Sequence, residues 1–256
     1  MLNIVLPIAG RGSRFLNAGF DIPKPMIPVL GAPMLQWVVW NLRPKEAHRF
    51  IFLALEEHLE NSGLPDLIER IAPDSVVIPV RAVTEGAACT VLIARDLIDS
   101  SNPLMIANTD QFVDLRIDDY LEAFNASGLD GFMMTFTASD PKWSYARLGE
   151  HGRVLEVVEK KVVSHYATVG IYNYRSGADF VSAADAMIAK NLRVNGEFYV
   201  APAYNQMIES GASVGVFSID NLGTGMHGLG TPEDLAMFVT SEICREVSGK
   251  VIANSE

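Results

Sequence analysis

Residues 4–35 read IVLPIAGRGSRFLNAGFDIPKPMIPVLGAPML. A short apolar run, Leu2–Leu6, ends at Pro7, and glycines at 10 and 12 bracket Arg11. An apolar run of strand length punctuated by glycine predicts a buried first strand with a tight loop at its carboxyl end. Pro33 suits the first turn of a helix. Met34, Leu35, Val38 and Leu42 follow at helical spacing, with Trp37 and Trp40 adding bulk. Strand, glycine loop and helix in that order predict the opening unit of an α/β sheet.

The rhythm continues outward from there. Arg49–Leu55, Ser75–Val80, Leu104–Ala107 and Phe132–Thr137 read as strands. A helical stretch over Glu57–Ile71, re-started around Gly63–Pro65, lies between the first two, and helices over Gly86–Asp96 and Asp118–Ala126 follow. Such alternation predicts a mixed, mostly parallel sheet with helices on both faces. After Asp140 the strands shorten: Arg147–Leu148, Val154–Val158, Thr168–Tyr174 and Val214–Ser218. Helices return at Gly177–Ala189, Tyr199–Glu209 and Pro232–Arg245. The expectation is one domain over residues 1–256, with a first part to about residue 138 and a second over about residues 139–245.

Composition narrows the function classes. The chain has 256 residues and a net charge of −11, which disfavours a nucleic-acid surface. No apolar run approaches the ~18 residues of a membrane helix. The amino terminus reads as a strand and not as a signal peptide. Cys89 and Cys244 lie far apart in helical stretches. They read as buried thiols in a reducing, cytoplasmic setting.

A few local cations nonetheless suffice to hold an anionic small molecule. Arg11, Arg14 and Lys24 cluster beside the glycine loop, with Asp21 their one opposing charge there. Gly10 and Gly12 let backbone N–H groups approach a phosphate. The loop is not a Walker A sequence, because no G-x-x-x-x-G-K-[ST] follows. It is a poor dinucleotide fingerprint, because Phe15 stands where the third glycine belongs. Ligands of such sheets bind beyond the carboxyl ends of the strands, where this loop lies.

LPIAGRGSRF followed by IPKPMIPVLGAPMLQWVV resembles the signature of the nucleotidylyltransferases that activate sugar phosphates: a glycine loop, Ser-Arg, PKP and G-x-P-[ML]. The resemblance runs to GTPEDL at Gly230–Leu235. TEGAACTVLIARDLI, ANTDQ, DPKWSYARL and VNGEFYVAPAYNQMI are similar to a branch found in capsule and surface-polysaccharide loci, and the outline is similar to phosphoglutamine and phosphocholine cytidylyltransferases. The resemblance implies a Rossmann-like fold of the glycosyltransferase-A type. It implies transfer of a nucleotidyl group from an NTP, CTP favoured, to a sugar 1-phosphate or small phosphomonoester, with release of pyrophosphate and dependence on Mg²⁺. The product would be an activated precursor for a surface polysaccharide. The partners implied are an NTP and a phosphorylated acceptor, with no nucleic acid and no membrane. The superfamily includes monomers, dimers and tetramers, so a homo-oligomer stays open.

Residue roles follow from the same resemblance. Gly10, Arg11, Gly12 and Ser13 would wrap the triphosphate, with Arg14 on its β/γ side. Lys24 would contact the α-phosphate and the attacking phosphate, held between Pro23 and Pro25. Asp110, just past an apolar strand, would bind Mg²⁺. Ala9, Glu85, Gly86 and Ala87 would shape the nucleobase pocket. Trp143, Tyr145, Glu159, Lys160, Gly170, Asn195 and Glu197 would form the acceptor wall. The family's second metal aspartate, in a DTGT stretch, is absent: the matching segment is GLGT, Gly228–Thr231, preceded by His227.

Two other classes compete. A nucleotide-binding regulatory module without turnover would be expected to lack Arg14, Lys24 or Asp110, and all three are present. A glycosyltransferase would be expected to carry D-x-D where this chain has NTDQ.

Overall fold

The structure is a computed structural model that describes residues 1–221 and 223–253. In chain order the elements are β1 (Leu2–Ile8), α1 (Ser13–Asn17), β2 (Pro28–Val29), β3 (Ala32–Pro33), α2 (Met34–Leu42), β4 (His48–Leu55), α3 (Glu56–Asn61), α4 (Leu64–Ile71), β5 (Val76–Val80), α5 (Ala87–Leu92), α6 (Arg95–Ile98), β6 (Leu104–Ala107), β7 (Gln111–Val113) and α7 (Ile117–Ser127). They continue with β8 (Gly131–Thr137), β9 (Ser144–Leu148), β10 (Val154–Glu159), β11 (Tyr166–Tyr174), α8 (Gly177–Ala189), α9 (Ala203–Glu209), β12 (Val214–Asn221), β13 (Met226–Gly228), α10 (Pro232–Thr240) and α11 (Glu242–Ala253).

One nine-stranded sheet forms the centre, with the path β10-β9-β11-β6-β1-β4-β5 and with β8 joining β11 to β12. β1 lies parallel between β4 and β6, and β5 lies parallel to β4. β11 runs antiparallel to β6, β8 and β9, and β10 antiparallel to β9. β10 and β11 therefore run against the rest, so the mixed, mostly parallel sheet expected from the alternation is present.

Each central strand feeds both faces, because its side chains alternate. Leu2, Ile4, Leu6 and Ile8 join one core with Phe50 and Phe52 of β4. Val5, Ile51, Leu53 and Leu55 join the other, against α5, α8 and α9. α2 is buried along almost its whole length. Trp37 Nε1 donates to Val29 O at 2.9 Å, and Gln36 Nε2 donates to Val251 O at 2.7 Å. The second bond ties α11 to α2, and Asn41 pins β7 through both the N–H and the C=O of Val113.

Some expectations are corrected. The stretch over Gly86–Asp96 is two short helices, α5 and α6, starting after Gly86. The helix expected from Tyr199 starts at Ala203, because Phe198 gives its backbone N–H and C=O to Glu85 and Ala88 and the chain turns into α9 only after it. The helix expected over Pro232–Arg245 breaks at Ser241, whose Oγ accepts from Cys244 N at 3.2 Å and so caps α11. Cys244 is buried, whereas Cys89 is only half-buried. Among the described residues, no helix is long and apolar enough to cross a membrane.

Candidate active site

β1 and β6 end side by side, so the loops that follow them, residues 9–12 and 108–110, meet beyond their carboxyl ends. Because β11 runs against β6, its early residues Thr168–Gly170 reach the same edge. Two adjoining cavities of about 370 and 640 Å³ open there. Arg14, Ala87, Asn108, Asp110, Tyr199 and Gly230 line both.

The smaller cavity is built from the glycine loop. Gly10, Gly12, Ser13, Arg14, Lys24 and Pro25 line it with Asn108–Asp110. Gly12 has φ +63°, and a Cβ there would stand 3.0 Å from Lys24 Cβ, so the loop closes directly onto the PKP segment. Lys24 opens a short 3₁₀ turn after Pro23. Its Nζ lies 3.2 Å from Asp110 Oδ2. Two hydrogen bonds hold the Asp110 backbone, and the Gln111 side chain that receives one of them is itself anchored. The Asp110 N–H donates to Gln111 Oε1 at 3.3 Å, Gln111 Nε2 donates to Asn108 O at 2.6 Å, and Leu229 N donates to the Asp110 carbonyl at 2.7 Å.

The larger cavity takes Trp143, Ser144, Glu159, Lys160, Thr168, Gly170, Tyr172 and Glu197 on one side and Gly228, Thr231 and Asp234 on the other. Glu159 is 8% exposed, and Ser144 Oγ donates to it. Burial pushes its carboxyl up from the ordinary carboxylate range, partly opposed by the Ser144 hydroxyl and the Lys160 charge. Lys160 Nζ donates to Tyr199 OH and lies 4.7 Å from that ring's centroid. The bond to Tyr199 raises the lysine above its ordinary value.

A raised carboxylate favours folding at low pH. Its contribution is full below the unfolded value and is lost as pH rises through the folded one. Glu159→Gln is therefore expected to gain thermal stability over the parent near pH 8 and to match it near pH 4. An equal shift at both pH values would assign the effect to packing instead.

The structure brings together Gly10, Gly12, Ser13, Arg14, Lys24, Asp110 and Ala87, and beside them Trp143, Glu159, Lys160, Gly170 and Glu197. It does not bring Ala9, Arg11, Glu85, Gly86, Tyr145 or Asn195 to either lining. Ala9 is core, 5% exposed. Arg11 is exposed, and its charge acts on His58 of α3. Tyr145 is fully buried, its OH donating to Asp140 O at 2.7 Å. Glu85 faces outward and pairs with Arg193 at 2.5 Å. Gly86 is filled against by the Phe198 backbone. Asn195 and Gly196, with φ +50° and +83°, form the tight turn between Val194 and Glu197, as expected of an Asn-Gly pair in a hairpin.

Gly170 has φ +98°, and a Cβ there would stand 2.6 Å from Asn108 Nδ2. Its missing side chain seats Asn108, which the sequence reading overlooked. Asp234 was overlooked too. A Cβ at Gly228 would lie 3.1 Å from Asp234 Cγ and 3.3 Å from its Oδ2. The carboxylate of Asp234 thus occupies the space that a longer side chain at 228 would enter. The signal was present in GTPEDL, where Thr231 Oγ1 accepts from Asp234 N at 3.1 Å and caps α10. The register that turns Asp234 towards Gly228 is tertiary.

Residues 3–207 match the family described as nucleotidyl transferase, and the chain belongs to that family. It is 29% identical over 222 residues to the bifunctional protein GlmU of Paraburkholderia xenovorans, covering 83% of this chain and 46% of that protein. GlmU of Thermotoga maritima is 25% identical over 204 residues, 77% of this chain and 42% of the relative. The chain thus spans less than half the length of these relatives. Its fold is similar to that of the nucleoside-diphosphate-sugar pyrophosphorylase from Vibrio cholerae, with a TM-score of 0.77 at 22% identity over 92% of this chain and 99% of that one. The inositol-1-phosphate CTP transferase of T. maritima gives 0.75 at 14% identity over 97% and 95%.

Proposed function

We propose that the protein is a nucleotidylyltransferase, joining the nucleotidyl group of an NTP, CTP favoured, to a phosphorylated acceptor and releasing pyrophosphate. The observation that carries this reading is that a cavity walled by glycines and cations adjoins a second cavity, and that Arg14, Asn108 and Asp110 line both. An acceptor phosphate oxygen attacks the α-phosphorus, the bond from that phosphorus to the β-phosphate oxygen breaks, and pyrophosphate leaves. Such chemistry asks for alignment and charge stabilisation more than for covalent work by the protein.

In this reading, residues to about 138 supply the nucleotide side and about 139–245 the acceptor side. The glycine loop offers backbone N–H groups to the triphosphate, Arg14 neutralises its β/γ end, and Lys24 holds the α-phosphate against the incoming phosphate. Glu159 and Glu197 accept hydrogen bonds from acceptor hydroxyls, and Lys160 meets the acceptor's phosphate. Asp110 and Asp234 suit Mg²⁺, a hard cation that takes carboxylate oxygens and keeps water and phosphate in its shell. When bound, Mg²⁺ would neutralise charge on the phosphates. The surface-polysaccharide role rests on the resemblance of the motifs alone.

The test is pyrophosphate release from a matrix of four NTPs and phosphorylated acceptors, among them hexose and heptose 1-phosphates, inositol phosphate, phosphocholine and glycerol phosphate. One NTP–acceptor pair is expected to react. In an Mg²⁺ series, Asp234→Ala is expected to need about tenfold more Mg²⁺ for half-maximal rate and for half-maximal thermal stabilisation by CTP. Release of a nucleoside diphosphate from a nucleotide sugar, or no binding of any NTP, would sink the reading.

A further inference from the structure

Among the contacts that join the two sides of the site, one ties the segment after β5 to the segment before α9. The segment 84–88 follows β5 and carries Ala87, which faces both cavities. The segment 193–199 carries Glu197 and Tyr199 into the larger cavity. Their backbones are bonded directly: Phe198 N donates to Glu85 O at 2.8 Å, and Ala88 N donates to Phe198 O at 3.0 Å. Across this seam lies Arg193. Its guanidinium sits 4.1 Å from the centroid of the Phe198 ring. Nη2 reaches Glu85 Oε2 at 2.5 Å, Nη1 donates to Gly196 O at 3.1 Å, and Nε donates to Asn191 Oδ1 at 2.7 Å. One planar fork thus grips the turn at Asn195–Gly196, covers Phe198 and holds the carboxylate of the opposite segment.

We propose that Arg193 is a positioning residue that locks the acceptor-side segment 193–199 to the nucleotide-side segment 84–88, so that binding a nucleotide places the acceptor wall. The inference deepens the nucleotidylyl reading and rests on it for its nucleotide arm. Arg193 lines neither cavity, so it acts through Phe198 and Tyr199, and Tyr199 in turn receives the Lys160 ammonium. An exposed ion pair alone holds little. The stacked guanidinium adds cation–π attraction, and its fixed fork makes several bonds from one side chain. Reaction rates fall steeply when two reactants are misplaced by an ångström or so, so a loosened seam shows in turnover before it shows in stability.

The experiment is amide exchange read peptide by peptide on the full chain, with and without each of the four NTPs in turn plus Mg²⁺. Without nucleotide, Arg193→Ala is expected to exchange residues 84–90 and 193–200 about fivefold faster than the parent, leaving the rest unchanged. With nucleotide, the parent is expected to slow exchange in both segments, and Arg193→Ala only in 84–90. Arg193→Lys, which keeps the charge and loses the fork, falls between. In the pyrophosphate assay, Arg193→Ala and Glu85→Ala each cost about tenfold in acceptor kcat/KM, and the double variant costs no more than either, as two groups acting as one unit do. Unchanged exchange at the seam in Arg193→Ala, or costs that simply multiply in the double variant, overturns the proposal. Absence of nucleotide protection in the parent removes the nucleotidylyl reading and the coupling with it, while faster exchange without nucleotide still reports the seam.

Discussion

Lys24→Ala is expected to fold as the parent does and to lower pyrophosphate-releasing turnover by about 10²–10³-fold, the scale of removing one preorganised electrostatic contact to a transition state. The lysine is unusually well placed for a flexible side chain. Pro23 limits the backbone before it, Met26 N donates to Pro23 O at 2.8 Å, and the Gly12 backbone abuts its Cβ. Its side chain is 17% exposed, and its ion pair with Asp110 lies at the edge of the smaller cavity. That pair is half-exposed on the Asp110 side, so its loss costs less than about 1 kcal/mol of stability. The effect belongs in kcat, because charge grows on the α-phosphate and the leaving pyrophosphate during the reaction. Steady-state kinetics beside a thermal melt separates the two. Turnover within about tenfold of the parent would remove Lys24 from contact with the reacting phosphates.

The second large effect falls on stability. Gly86 has φ +134° and ψ 170°, a region essentially closed to residues with a side chain. A Cβ there would stand 2.4 Å from Phe198 O and 2.5 Å from Phe198 N. Backbone cannot swing away as a flexible side chain does, so Gly86→Ala must part the seam between residues 84–88 and 193–199. Strain of about 1–3 kcal/mol from the dihedral and a similar amount from overpacking are expected to add. The melting temperature should fall by about 10 °C. Gly10→Ala is the control, because nothing lies within 4 Å of a Cβ there and its φ is ordinary. A Gly86→Ala variant as stable as Gly10→Ala would mean that the seam is not closed in solution.

The elements legible in the sequence are those whose signals are local. β1 and α2 follow from an apolar run and from helical spacing behind Pro33, and α8 has the expected bounds, Gly177–Ala189. The re-start at Gly63–Pro65 is likewise observed, with Gly63 at φ +67° and Pro65 in the first turn of α4. The pairing of β7 with β13, Gln111 with Gly228, was not legible, because the partners lie more than a hundred residues apart and each strand has only three residues. The late start of α9 has the same origin: Phe198 spends its backbone groups on residues 85 and 88.

The site divides along the same line. Glycines, cations and a carboxylate after the first and fourth parallel strands can be placed from the chain alone, because strand ends and glycine loops are local features. What each of the other predicted site residues faces depends on packing. Tyr145 turns into the core while Trp143, two residues earlier, lines the cavity. Glu85 turns outward to Arg193 while Ala87, two residues later, faces inward. Asp234 reaches the space beside Gly228 only because α10 packs against β13, and Gly170 gives its space to Asn108. By itself the sequence determined the sheet-forming pattern, the glycine loop at the strand ends and the family. Only the tertiary structure decided which side chains share a cavity, because a residue's neighbours across a seam are chosen by long-range packing and not by its own spacing.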